Sequence, residues 1–194
     1  YMFGKVLEMV WGPKRFLIYF LVTGLGAATL HLFVNYLELS HVARSVDAFA
    51  NTPSPELLAS FVKANLGSQA APWVHDFINK WSETPGNPAY AQQGIDMVQQ
   101  IFNEKINIPT VGASGAIFGI LLAFGVLFPN TELMLLFPPV PIKAKYFVIG
   151  YGLIELYLGF TQSNSDVAHF AHLGGMLFGY LLLRYWNVSS KNFF

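Results

Sequence analysis

Residues 110–128 read TVGASGAIFGILLAFGVLF and contain no charged side chain. The hydrocarbon core of a bilayer is about 30 Å thick and takes about 20 apolar residues as α-helix, so this stretch predicts a membrane-spanning helix. Three other stretches reach or approach the same length: 16–37, 146–160 and 167–186. Residues 1–11 predict the tail of a further span, and we expect this chain to be cut from a longer one. The pattern predicts an all-α, polytopic transmembrane helical bundle over residues 1–194.

The composition agrees with a membrane protein. The 194 residues are 54% hydrophobic and only 11% charged, whereas an average soluble domain carries about 25% charged residues. The formal net charge is zero, which excludes nucleic acid as a main partner because no basic field is present. The chain has no cysteine, so disulfides, thiolate metal sites and a cysteine nucleophile are excluded. Chemistry is left to serine, threonine, histidine, tyrosine and carboxylates.

The basic residues predict how the spans are oriented. If the four spans alternate in direction, most Lys and Arg residues fall on one side: Lys5, Lys14, Arg15, Lys143, Lys145, Arg184 and Lys191. Because such residues resist translocation, that side is predicted to be cytoplasmic. The protein is expected to be a multi-pass protein of the cell (inner) membrane, with the lipid bilayer as a partner.

The segment 38–109 is expected to be an extracytoplasmic insertion of short amphipathic helices. Its apolar residues recur at helical spacing in 57–66, 73–81 and 95–102, and a Ser54-Pro55 pair is typical of a helix start. Each of these helices is too short and too polar to span a bilayer. They predict a small extramembrane helical cap; the alternative is that their aromatic faces lie in the outer membrane interface and steer substrate.

Ser114 and His172 are the candidate catalytic pair. Ser114 lies five residues after Pro109 and His172 six after Asp166 in spans that run in the same direction, so both lie about 7–9 Å below the outer boundary. Each span has a stripe of small residues that permits close helix contact: Gly115, Gly119 and Ala123 in one, Ala171, Gly175 and Gly179 in the other. If these stripes face each other, His172 can take the proton of Ser114.

The polar residues of these spans also allow other interpretations. A serine in a glycine-rich membrane helix is by itself typical of helix packing. His169 is expected at the hydrated rim, and Glu155 is expected to face the bundle interior, protonated or hydrogen-bonded, with a proton relay as its alternative role. No carboxylate is placed to orient His172, so the site is predicted to be a dyad. His169 and His172 could share a metal, but no third ligand is evident; we therefore expect no metal and no cofactor.

Three ordered motifs resemble the rhomboid family of intramembrane serine proteases. They are GASG at 112–115, AHLGG at 171–175 followed by Gly179, and the opening Gly4-x-x-Leu7-Glu8-x-x-x-Gly12. The resemblance implies Ser114 as the nucleophile, His172 as the general base and the Ser114 backbone N–H as an oxyanion donor. It also implies close helix packing near the site through five glycines: Gly112, Gly115, Gly119, Gly175 and Gly179. The substrates implied are transmembrane proteins, cut in or near their spans, with residues 146–160 beside their entry route.

The chain departs from the family pattern in two places. The family's His-x-x-x-Asn pair, which completes the oxyanion hole, is expected upstream of Tyr1, since the His31-to-Asn35 stretch with the same spelling lies one span later. The family usually has a short connection where this chain has residues 38–109. Two alternative functions follow: a catalytically inactive rhomboid-like protein that binds membrane clients, and a proton-coupled transporter using Glu155, His169 and His172.

Overall fold

The computed structural model describes residues 2–107, 113–135, 139–161 and 168–187. The elements of this part of the chain are the helices α1 (Met2–Trp11), α2 (Pro13–Asn51), α3 (Pro55–Asn65), α4 (Pro72–Glu83), α5 (Pro88–Ile106), α6 (Ser114–Leu127), α7 (Ala144–Thr161) and α8 (His169–Tyr185), and the strands β1 (Glu132–Met134) and β2 (Pro141–Lys143). The predicted all-α class is confirmed, with one short antiparallel hairpin, β1 with β2, that the sequence patterns did not predict.

The apolar spans map onto α2, α6, α7 and α8. The helix α2 runs for 39 residues and does not end near residue 37. No glycine or proline interrupts 38–51, and the next proline after Pro13 is Pro53. It is the one helix among the described residues that is both long and apolar enough to cross a membrane; α6 is apolar but shorter. The predicted ends at Thr110 and Val167 lie outside the described residues.

The chain divides into two compact units. Residues 1–34 and 110–194 form one, called here the span unit, and residues 35–109 form the other, called here the insertion unit. The helix α2 contributes residues to both.

The insertion unit has its own hydrophobic core. Trp81 of α4 is fully buried, and Phe49 packs edge-on against it with ring centroids 6.3 Å apart. The residues buried around them are Leu58, Phe61, Val62, Val74, Ile78, Val98 and Ile101. Leu57 and Trp73, which begin the first two apolar stretches of this segment, are 44% and 60% exposed. Each precedes a buried residue by one position, which turns it about 100° around its helix.

The span unit is packed around α1, α2, α6 and α8. Its buried residues include Leu7, Tyr19, Ile120, Leu127 and Leu183. The Tyr19 hydroxyl donates to the Gly119 carbonyl over 2.9 Å, which ties α2 to α6 through a buried polar contact. Small residues permit these approaches: a Cβ on Gly119 would lie 2.6 Å from Thr23, and a Cβ on Gly125 would lie 2.6 Å from Val148 of α7.

We expect Ser54→Ala to destabilise α3, because the Ser54 side chain accepts a hydrogen bond from the Leu57 N–H at the helix start. The loss should be about 1 kcal/mol. Ser60→Ala, in an exposed position of the same helix, should be neutral or slightly stabilising because alanine is the better helix former. Amide hydrogen exchange of the α3 peptides in the whole chain measures both. Equal protection in the two variants would contradict the cap.

Candidate active site

Ser114 is the first residue of α6 and is half-buried. Its backbone N–H is therefore among the first groups of an α-helix, which have no acceptor within that helix. The partial positive charge of a helix N-terminus also lies here. The Ser114 hydroxyl and its own N–H are thus available at one place on the molecule.

The backbones of α6 and α8 come into contact directly beside Ser114. A Cβ on Gly175 would collide with the Gly115 carbonyl oxygen, and a Cβ on Gly115 would lie 3.0 Å from the Ala171 carbonyl oxygen. Gly115, which follows Ser114, and Ala171, which precedes His172, are therefore neighbours. The other members of the two glycine stripes also face α2: Gly119 contacts Thr23, and Gly179 contacts both Tyr19 and Thr23. Gly112 lies outside the described residues.

His172 projects from α8 onto α6. It is 8% exposed, and its ring stacks on Phe118 with centroids 4.0 Å apart and an interplanar angle of 8°. Phe118 lies one turn after Ser114, on the same face of α6. Ser114 and His172 are both described residues, and no hydrogen bond joins the Ser114 hydroxyl to His172. The structure thus places Ser114 and His172 on facing helices, with the imidazole held one turn away by an aromatic stack.

Glu155 of α7 lies against both histidines, so the prediction that no carboxylate is placed beside His172 is wrong. Its Oε2 atom is 2.7 Å from His169 Nδ1 and 2.9 Å from His172 Nδ1. The register of α7 on α8 explains the contact, since a Cβ on Gly159 would lie 3.4 Å from the His169 Cβ. The depth of one span relative to another depends on such packing, which the sequence of either span does not specify.

The two contacts of Glu155 differ in kind. The contact with His169 is a buried hydrogen bond. The contact with His172 has the distance of a hydrogen bond without its direction, and within the described ranges His172 Nδ1 has no hydrogen-bond partner. The expectation that Glu155 faces the bundle interior and bonds to a neighbour is confirmed.

His169 is not at a hydrated rim. It is 6% exposed, packed beside Gly159 and bonded to Glu155. Its second ring nitrogen, Nε2, is buried and has no partner among the residues that the structure describes. Asp166 and the connection 162–167 lie outside those residues.

The sequence carried a partial signal for this arrangement. Glu155 stands alone as an acid in an otherwise apolar span, and a carboxylate in such a place needs a partner. The His-x-x-His spacing puts both imidazoles on one face of α8. The stack of His172 on Phe118 had no signal in the sequence, because an aromatic residue in an apolar helix is ordinarily a packing residue.

These helices place a half-buried serine close to two buried histidines and a buried carboxylate, which defines an all-α bundle with a polar site. Residues 91–187 match the model of the rhomboid domain, which is half of the chain. The chain belongs to the rhomboid family, whose members are membrane proteins. The match covers α6, α7 and α8, which carry the site. It does not include the opening motif at 4–12.

Rhomboid protein 1, mitochondrial, from Saccharomyces cerevisiae is 38% identical to this chain over 83 residues. That alignment covers 42% of this chain and 23% of the yeast protein, so the chain spans about a quarter of that relative's length. No solved structure matches the chain.

We expect Gly175→Ala to destabilise the span unit, because the added Cβ would collide with the Gly115 carbonyl and force α6 and α8 apart. The cost of such overpacking is about 1–3 kcal/mol. Gly150→Ala is the matched control, since a Cβ there would have no atom within 4 Å. Thermal unfolding followed by circular dichroism in one detergent measures both. A similar lowering of the unfolding temperature at the two positions would contradict the close contact.

Proposed function

We propose that this chain is an intramembrane serine endopeptidase that hydrolyses peptide bonds in or near the transmembrane segments of other membrane proteins. Ser114 is the nucleophile and His172 the general base. The observation that carries the proposal is the backbone contact of Gly115 with Gly175 and Ala171. This contact puts Ser114 and His172 on facing helices. Membership of the rhomboid family supports it.

The reaction uses the groups around Ser114 in order. His172 Nε2 takes the Ser114 hydroxyl proton as Oγ attacks the carbonyl carbon of the scissile bond. The Ser114 N–H, at the positive end of α6, donates to the oxyanion that forms. His172 then gives its proton to the departing amine as the C–N bond breaks, and water hydrolyses the acyl-enzyme in a second cycle. His172 comes within reach of Ser114 by rotating from its stack on Phe118.

Glu155 acts through His172 as a positioning residue. A carboxylate oxygen 2.9 Å from Nδ1 favours the tautomer with its proton on Nδ1. That tautomer leaves the lone pair on Nε2, where the serine proton must be received. The same carboxylate stabilises the imidazolium that forms during the reaction. The site is thus a Ser114–His172 dyad supported by a third group.

The proposed substrate and setting rest on the family resemblance and on the predicted orientation of the spans. A transmembrane segment of another protein enters beside α7, and the site opens to the extracytoplasmic side of the cell (inner) membrane. The yeast relative is named as a mitochondrial protein.

Fluorophosphonate labelling tests the proposal, because the probe reacts covalently with an activated serine. We expect an adduct on Ser114, mapped by mass spectrometry, when the detergent-solubilised chain is labelled. Ser114→Ala should abolish it, and His172→Ala should slow it by about 10²–10⁴-fold through loss of the base. Ser45→Ala, at a half-buried serine in the part of α2 that belongs to the insertion unit, should leave the labelling unchanged.

An unlabelled Ser114, under conditions that label a control serine protease, would overturn the proposal and favour an inactive client-binding relative. A proton relay is the second candidate, since Glu155, His169 and His172 lie in contact. It predicts that proton transport in liposomes depends on Glu155 and survives Ser114→Ala, whereas the protease predicts the reverse dependence for peptide cleavage.

Glu155→Gln should lower the labelling rate of Ser114 by at least about tenfold, because the amide no longer stabilises the imidazolium of His172. The pH profile of the labelling rate should also change, because the variant removes the carboxylate that faces His172 Nδ1. Glu56→Gln, at an exposed position of α3, is the control. An unchanged rate and pH profile in Glu155→Gln would show that the carboxylate does not act through His172.

A further inference from the structure

Three donor atoms converge between α7 and α8. Glu155, His169 and His172 each offer one metal-ligating atom, and these atoms all lie within 4.8 Å of one another. All three residues are buried. Two come from the i, i+3 positions of one helix and one from its neighbour, so the donors approach a common point from different directions.

Hydrogen bonding within this group leaves polar atoms unsatisfied. One carboxylate oxygen lies near two Nδ1 atoms and is hydrogen-bonded to only one of them. Within the described residues, His172 Nδ1 and His169 Nε2 are buried without a partner, and of these two atoms only His172 Nδ1 faces the group. Buried polar atoms ordinarily have partners, and those that lack one require an explanation such as an ion.

The chemistry of the donors matches one class of ion. Two imidazoles and one carboxylate form a ligand set that holds Zn²⁺, with the fourth tetrahedral position left to water. Imidazole ligands favour zinc, copper and nickel over Mg²⁺ and Ca²⁺, which prefer oxygen. Ligand atoms at zinc bond lengths are about 3.3 Å apart in a tetrahedron, whereas here they are 2.7 and 2.9 Å apart across the carboxylate. Small side-chain rotations suffice to open the group around an ion.

We propose that Glu155, His169 and His172 form a binding site for a divalent transition-metal ion, with Zn²⁺ as the probe. Binding through His172 Nδ1 requires the other tautomer of the neutral ring, in which the single ring proton has moved from Nδ1 to Nε2. The nitrogen that would accept the Ser114 proton then carries a proton itself. The bound ion therefore inhibits the serine reaction. The inhibition rests on the proposed function, while the binding does not.

The binding is tested first in Ser114→Ala, which keeps all three ligands and has no nucleophile. We expect one Zn²⁺ per chain after gel filtration, in this variant and in the unmodified chain, and no displacement by excess Mg²⁺. His169→Gln retains an N–H donor for Glu155 but removes the imidazole, and it should lose the ion, as should Glu155→Gln. His75→Gln, an exposed histidine of α4, should still bind one ion.

The inhibition is tested by labelling Ser114 with and without Zn²⁺. We expect the ion to suppress labelling at least about tenfold in the unmodified chain, with recovery on adding a chelator. His169→Gln should label at the same rate with and without the ion. X-ray absorption of the zinc-loaded unmodified chain, which needs no variant to fold, should report only nitrogen and oxygen ligands at about 2.0–2.2 Å.

Two results would overturn the site: no stoichiometric zinc in Ser114→Ala, or equal binding in His169→Gln and His75→Gln. If zinc binds as expected but does not change the labelling of Ser114, the proposed inhibition is wrong and the proposed metal site stands. If Ser114 is never labelled, the proposed protease function fails, and the zinc measurement on Ser114→Ala still decides the metal site by itself.

Discussion

The contact between the backbones of α6 and α8 at Gly115 and Gly175 is the constraint on which the rest of the span unit depends. With no Cβ at either position, a carbonyl of one helix lies against the Cα of the other. Close approach of this kind stabilises helix pairs in a membrane, where apolar side chains gain little by leaving lipid. It sets the register of the two helices, and the register brings His172 next to the helix turn that Ser114 begins.

The helix α7 adds a carboxyl group, that of Glu155, to this arrangement. Glu155 is placed by the packing of α7 along α8, where Gly159 admits His169 and Phe170. A carboxylate inside an apolar helix costs free energy unless it is paired, and here two imidazoles face it. One carboxylate thus joins the candidate base to a second histidine, so the environment of His172 depends on residues of both helices.

The sequence was sufficient to locate the helices, although it predicted neither the β1–β2 hairpin nor the end of α2, and it was insufficient for the relative depth of the spans. Apolar length identified the helices, and the small residues identified Gly115 and Gly175 as contact positions, because both signals are local. The start of α3 at Ser54-Pro55 was also readable, since a cap is formed by adjacent residues. Glu155 was misjudged because its partners lie 14 residues or more along the chain, across a helix pairing whose offset no local pattern records. The exposure of Leu57 and Trp73 had the same cause: which part of an apolar face is covered depends on neighbours.

The glycine contact also affects how relatedness is read within this family. Substitution at Gly115 or Gly175 is opposed by backbone atoms, so selection at these positions acts on architecture whether or not any bond is cleaved. A descendant that lost the hydroxyl of Ser114 would keep the same helix pairing and remain recognisable as a relative. Family membership that is recognised through these glycines therefore reports the helix pairing and does not by itself report an activity.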